Sequence, residues 1–227
     1  YQYVADGAPS YPRAFKATAD AKGALSAQLS WTTPSVNYLG AKLSALTGTK
    51  VYRNDQLVYT STETTQGKSV AWTDRPSTDG YYIYKVVPYN AAGDGVYKEF
   101  AAYVGEDLPG APQNVTLTTH GGNAEITWAA PAEGQHGGYF DNASVKYNVV
   151  RMPDNKVVVE GTTSLRATDA VSVQKGYSYI VTAVNKKGVG SSATSKTMSF
   201  GPEDSVPFTS PLTTQDDFDR WVTADKN

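Results

Sequence analysis

The stretch Tyr81–Gly95, YYIYKVVPYNAAGDG, returns as Gly176–Gly190, GYSYIVTAVNKKGVG. At an offset of 95 the two share Tyr82/Tyr177, Tyr84/Tyr179, Val86/Val181, Asn90/Asn185, Gly93/Gly188 and Gly95/Gly190. A chain that writes one strand and turn twice has an internal repeat, which decides the fold before any local propensity does. The match extends upstream in the same order. Trp31 in LSWTTP returns as Trp128 in ITWAAP, VYRN at 51 as VVRM at 149, and SVAWTD at 69 as SLRATD at 164. PRAFKATA at 12 returns as PQNVTLTT at 112.

Each unit reads as short strands. AQLSW and AEITW alternate apolar and polar residues, so one face is buried. The period-two rule sends Tyr82, Tyr84 and Val86 to one face, and Tyr177, Tyr179, Val181 and Ala183 likewise. The glycines after Asn90 and Asn185 suit positive φ in a tight turn. Pro88 cannot donate to a strand ladder, so a bulge or an end of pairing is expected there.

The order of a proline, an apolar strand, a tryptophan on the second strand, a tyrosine opening the sixth, then Asn-x-x-Gly-x-Gly resembles fibronectin type III domains. The resemblance covers about 190 of the 227 residues and implies an all-β fold of two tandem immunoglobulin-like antiparallel sandwiches. It places Trp31 and Trp128 in the cores. It makes Tyr82 and Tyr177 corner tyrosines whose hydroxyls bond back to nearby backbone.

YVADGAPSYP at 3 resembles YVGEDLPGAP at 103. The expected organisation is therefore 1–7, end of a preceding repeat and linker; 8–105, first domain; 106–201, second domain; 202–227, linker and start of a third. PFTSPLTTQDDFDRW in the last stretch resembles the opening of jelly-roll modules in secreted Bacteroidetes-like proteins. Thr214 to Asp217 has capping-box spacing, and Phe218, Trp221 and Val222 share a helical face. The two proline-bearing linkers read as semi-rigid joints.

Composition excludes several functions. A formal charge of −2 argues against a nucleic-acid surface. With no cysteine there is neither a disulfide scaffold nor a thiol nucleophile. No apolar run is long enough to span a membrane. His120 and His136 lie in loops at opposite ends of one sandwich, too far apart to share a metal or substrate, and read as exposed turn histidines. Asp74 and Asp169 recur in both units, which favours a structural turn role over a glycosidase pair. Asp216, Asp217 and Asp219 suit a helix N-terminus better than a cation site.

No catalytic, cofactor-binding or metal-ligating residue is therefore assigned, and the chain reads as no enzyme. The aromatics Tyr38, Tyr139 and Phe140 follow the second strand of each unit. Tyr139 and Phe140 read as interdomain packing, with Tyr38 facing a preceding unit. Asn114 and Asn142 head Asn-linked sequons read as idle. Ser205 sits in a DSV that matches a bacterial O-glycosylation sequon.

The function expected is a non-catalytic spacer and adhesion region of a secreted or cell-surface bacterial protein. It is expected to be extracellular and monomeric, to have no membrane span, and to have neighbouring domains as partners. The alternatives are a module that binds carbohydrate or a host or cell-surface protein, through Tyr38, Tyr139, Phe140 or the Trp221 region, and accessory domains of a glycan- or peptide-degrading enzyme.

Overall fold

A computed structural model describes residues 4–202. The capping box, the Phe218–Trp221–Val222 face, Asp216, Asp217, Asp219 and Ser205 lie outside those residues.

The first sandwich is built from β1 (Arg13–Ala19), β2 (Ala27–Thr32), β3 (Gly48–Arg53), β4 (Gln56–Ser61), β5 (Ser69–Asp74), β6 (Gly80–Asn90), β7 (Gly93–Asp94) and β8 (Lys98–Val104). The second repeats the series with β9 (Gln113–His120), β10 (Asn123–Ala129), β11 (Lys146–Met152), β12 (Lys156–Thr162), β13 (Arg166–Ala170), β14 (Lys175–Asn185), β15 (Gly188–Thr194) and β16 (Met198–Phe200). A single 3-10 turn at Asn142–Ser144 precedes β11.

Each unit faces a three-stranded antiparallel sheet, β1-β2-β5 or β9-β10-β13, against a second sheet. That second sheet runs β4-β3-β6 with β7 and β8 on β6, or β12-β11-β14 with β15 and β16 on β14. The fourth strand pairs with the third rather than the fifth. The chain thus folds as two tandem fibronectin type III-like sandwiches.

Period-two burial fills the cores as expected. Leu29 and Trp31 meet Val51, Tyr84, Val86 and Val104 in the first. Ile126 and Trp128 meet Tyr147, Val149, Tyr179, Val181 and Phe200 in the second. Both corner tyrosines donate backwards: Tyr82 to the Thr78 carbonyl at 2.8 Å and Tyr177 to the Val173 carbonyl at 3.0 Å.

Pro88 interrupts one edge only. Its register with Thr49 on β3 is unbroken. Its carbonyl accepts from Gly95 N, so the position of its missing N–H faces that same edge. There the partner strand is broken between β7 and β8.

Asp74 and Asp169 are strand residues, not turn residues. Asp74 accepts both Arg53 Nη1 contacts, at 3.0 and 2.9 Å, and the Tyr84 hydroxyl at 2.8 Å. Asp169 accepts from Arg151 at 2.7 Å, Lys156 at 2.9 Å and the Tyr179 hydroxyl at 3.1 Å. Each arginine also lies over its corner tyrosine, 5.5 Å from Tyr82 or 5.1 Å from Tyr177. Repetition thus marks a buried Arg–Asp–Tyr network. A buried carboxylate is stable only when it is paired and hydrogen-bonded, so it constrains both sheets at once. Burial, then the Asp74 hydrogen bond, pushes the Tyr84 phenol well above its ordinary range. Burial and the Asp169 charge do the same to Tyr179. Burial opposes ionisation of Asp169, but its Lys156, Arg151 and Tyr179 hydrogen bonds prevail and hold its carboxyl low.

Candidate functional site

The Asn-x-x-Gly-x-Gly motif holds the linker that enters each sandwich. Asn90 donates its amide to the Gly7 carbonyl at 2.9 Å, and Asn185 donates to the Asp107 carbonyl at 2.9 Å. Gly93 and Gly188 take φ of 130° and 143°, which only glycine adopts freely. At Gly95 and Gly190 any Cβ would overlap the backbone oxygen of Pro9 or Pro109. With that space open, Val96 N donates to Pro9 O at 3.0 Å and Ser191 N to Pro109 O at 3.1 Å. On its other side the linker meets the loop after the second strand, through isolated bridges Pro9–Asn37 and Pro109–Gly134. The linker is thus laid into the following sandwich like an added strand.

The two junctions then differ. In the first sandwich the loop donors Leu39 N and Ala41 N bond to the side-chain oxygen of Asn37, at 3.1 and 2.9 Å. In the second the equivalent donors, His136 N and Gly138 N, bond to Asp107 Oδ2 at 2.7 and 3.0 Å. The acceptor has moved from the loop to the linker. Asn37 is replaced by Gly134 and Gly7 by Asp107. A Cβ on Gly134 would collide with the Asp107 carboxylate, so the glycine is what admits it.

Asp107 is fully buried. It also accepts from Leu108 N at 2.8 Å and pairs with His136 Nδ1 at 2.8 Å. A carboxylate with this many donors is charge-assisted and strongly held.

The loop reaches back to the first sandwich. His136 stacks on Tyr103 of β8, with centroids 5.2 Å apart and planes 6° apart. The Tyr139 ring lies across Gly23, where a Cβ would sit 2.5 Å from its Cδ1. Asp79 accepts Glu106 N at 3.0 Å and pairs with Lys187. That ammonium's hydrogen bond, aided by the Glu106 amide against the effect of burial, lowers the Asp79 pKa. Lys186 pairs with Glu106 at 2.8 Å.

Tyr139 therefore packs between the sandwiches as expected, whereas Phe140 packs against the second core. Tyr38 donates to Asp6 at 2.8 Å at the linker end of the first sandwich. By backbone pairing its counterpart is Gln135, not Tyr139: Tyr38 N reaches Ala8 O as Gln135 N reaches Leu108 O. His120 is exposed as the last residue of β9 rather than in the turn itself, at the opposite end from His136, which is exposed but bound on two sides. Asn114 and Asn142 are exposed. Among the described residues no group of acids and histidines could hold a metal ion. Nor is any described helix long and apolar enough to cross a membrane.

No family model and no curated protein matches this chain. Solved structures do. The FN1–FN3 domains of chicken CNTN1 align at 16% identity over 85% of this chain and 68% of that one, with a TM-score of 0.34. A two-domain fibronectin type III segment of chicken tenascin aligns at 14% identity over 83% and 98%, at 0.36. Domains d3–d4 of the rat CD45 extracellular region align at 13% identity over 45% and 55%, at 0.35. The fold is read from the strand order above, not from these distant likenesses.

Proposed function

We propose that the two sandwiches are a non-catalytic spacer and adhesion region of a secreted or surface-attached bacterial protein, with domain boundaries near residues 105 and 201. The observation that supports it is the linker held by Asp107, Asn185 and Gly190 of the second unit while Lys187 and His136 reach the first. A joint so fastened transmits orientation from one domain to the next, whereas a free tether loses it. The recurring acids Asp74 and Asp169 neutralise arginines between sheets, and His120 and His136 stand at opposite ends of one sandwich.

NMR relaxation of the whole chain tests the reading. Both sandwiches should tumble with one correlation time. Two distinct times, or robust turnover of peptide, glycoside or ester substrates that a single substitution abolishes, would overturn it.

A further inference from the structure

Where the second sandwich meets the first, a groove of about 530 Å³ runs between the edges of β1 and β8 and ends on the loop carrying His136. Rings of Tyr81, Phe100, Tyr103, His136 and Tyr139 line it among alanines and glycines. Tyr81 is 56% exposed and stands directly across the ladder from Tyr103. Tyr103 carries the stacked His136 ring, whose side chain is 44% exposed, and Tyr139 of the same loop adds a further ring to the lining.

Tyr103, His136 and Tyr139 already serve the joint, but the sandwich does not need the Tyr81 ring. The pair matching Tyr81 and Tyr103 in the second sandwich is Gly176 and Ser199. A Cβ on Gly137 would meet nothing, so that stretch of backbone leaves open space at the groove.

Charge narrows the ligand. Asp20 is the one acid of the lining, which contains no Lys and no Arg. Hydrogen bonds from Lys22 N and Ala24 N hold the Asp20 carboxyl low, so it is ionised at neutral pH. Phosphate, sulfate and uronate groups would meet no cation of the lining, and the charge of nearby Lys22 is already engaged by Asp20. The Tyr103 phenol, raised by burial and by the Asp107 and Asp79 charges, keeps its proton to donate. Exposed rings with a few convergent polar groups suit a ligand with apolar C–H faces and a rim of hydroxyls.

We infer that this junction groove binds a neutral oligosaccharide, stacked on Tyr81 and hydrogen-bonded by Asp20, Tyr103 and the His136 ring. The site does not depend on the spacer role, since a stiff joint without a ligand and a ligand on a loose joint are separately measurable.

The test is calorimetric titration of the whole chain with neutral gluco-, manno- and galacto-oligosaccharides, a sulfated and a uronate oligosaccharide, and decaproline. At least one neutral sugar should bind, with both anionic ones silent. Tyr81→Ala should weaken binding about tenfold, the loss of one ring stack, while Tyr81→Phe retains most of it. Ile83→Ala, an exposed site outside the groove lining, should change nothing. The sugar should also shift the wild-type amide signals of Tyr103 and Gly137, a readout that survives even if a variant fails to fold. Binding of decaproline alone, preference for anionic sugars, silence from every neutral sugar, or shifts confined elsewhere would each overturn the assignment.

Discussion

Replacing Asp107 by Gly, and then Gly134 by Asn, writes the first junction into the second. The single change removes the acceptor for His136 N, Gly138 N, Leu108 N and the imidazole. An unsatisfied buried donor costs about 1–3 kcal/mol. Three backbone donors, partly rescued by water at this rim, give roughly 3 kcal/mol. At about 4–8 °C per kcal/mol for a domain of this size, the second sandwich's calorimetric transition should fall by roughly 12–24 °C, with the first unchanged. Adding Gly134→Asn returns an amide oxygen to the loop, as Asn37 does in the first sandwich. A Cβ on Gly134 would sit 2.5 Å from the Gly138 carbonyl oxygen, so that stretch of backbone must shift to admit the asparagine, which limits the recovery. Two of the three donors are then satisfied, and about half of the lost stability should return. The double variant keeps the Asn185 and Ser191 bonds to the linker backbone but not the carboxylate tie between linker and loop, so the share of interdomain order that the carboxylate supplies should not return with it. A double variant no more stable than Asp107→Gly alone would refute the exchange of acceptors.

Trp31→Ala and Trp128→Ala should each cost about 3–5 kcal/mol and shift only their own sandwich's calorimetric transition; loss of both transitions together would contradict independent cores. Gly23→Ala is strained twice, by its φ of +74° and by the Tyr139 ring, and should raise interdomain mobility in NMR relaxation without unfolding the second core. Tyr84 and Tyr179 have folded pKa values raised above the unfolded value near 10. Their contribution is therefore complete below pH ~10 and is lost as pH climbs from there toward the folded values. Denaturant titrations should show stability falling above that pH, less steeply in Tyr84→Phe. Ultraviolet titration of the native chain should leave these two phenols protonated when the exposed ones have ionised.

The sandwiches were legible because burial imposes period two, and because duplication wrote each core residue twice: Trp31 with Trp128, Tyr84 with Tyr179. The same doubling marked Asp74 and Asp169 as structural. It did not reveal that they face inward to Arg53 and Arg151, because that pairing bridges strands far apart in sequence. The junction was hidden for the opposite reason. Asp107, Gly134 and Tyr81 are departures from the repeat, and a reading that looks for agreement passes over them. The signal was present in GQHG standing where the first unit has NYLG, and in Asp107 where it has Gly7. Only the backbone geometry shows that these two differences are one exchange.

The measurement that bears most directly on a fastened joint is the electron–electron distance between spin labels at Thr60→Cys and Glu160→Cys, exposed sites on β4 and β12. The chain contains no other cysteine to interfere. A free tether over residues 105–110 would let its ends wander by roughly 13 Å. The structure predicts one narrow distance peak in the wild-type chain, broadening when Asp107 is replaced. A broad distribution in the wild type, unchanged by that replacement, would contradict it.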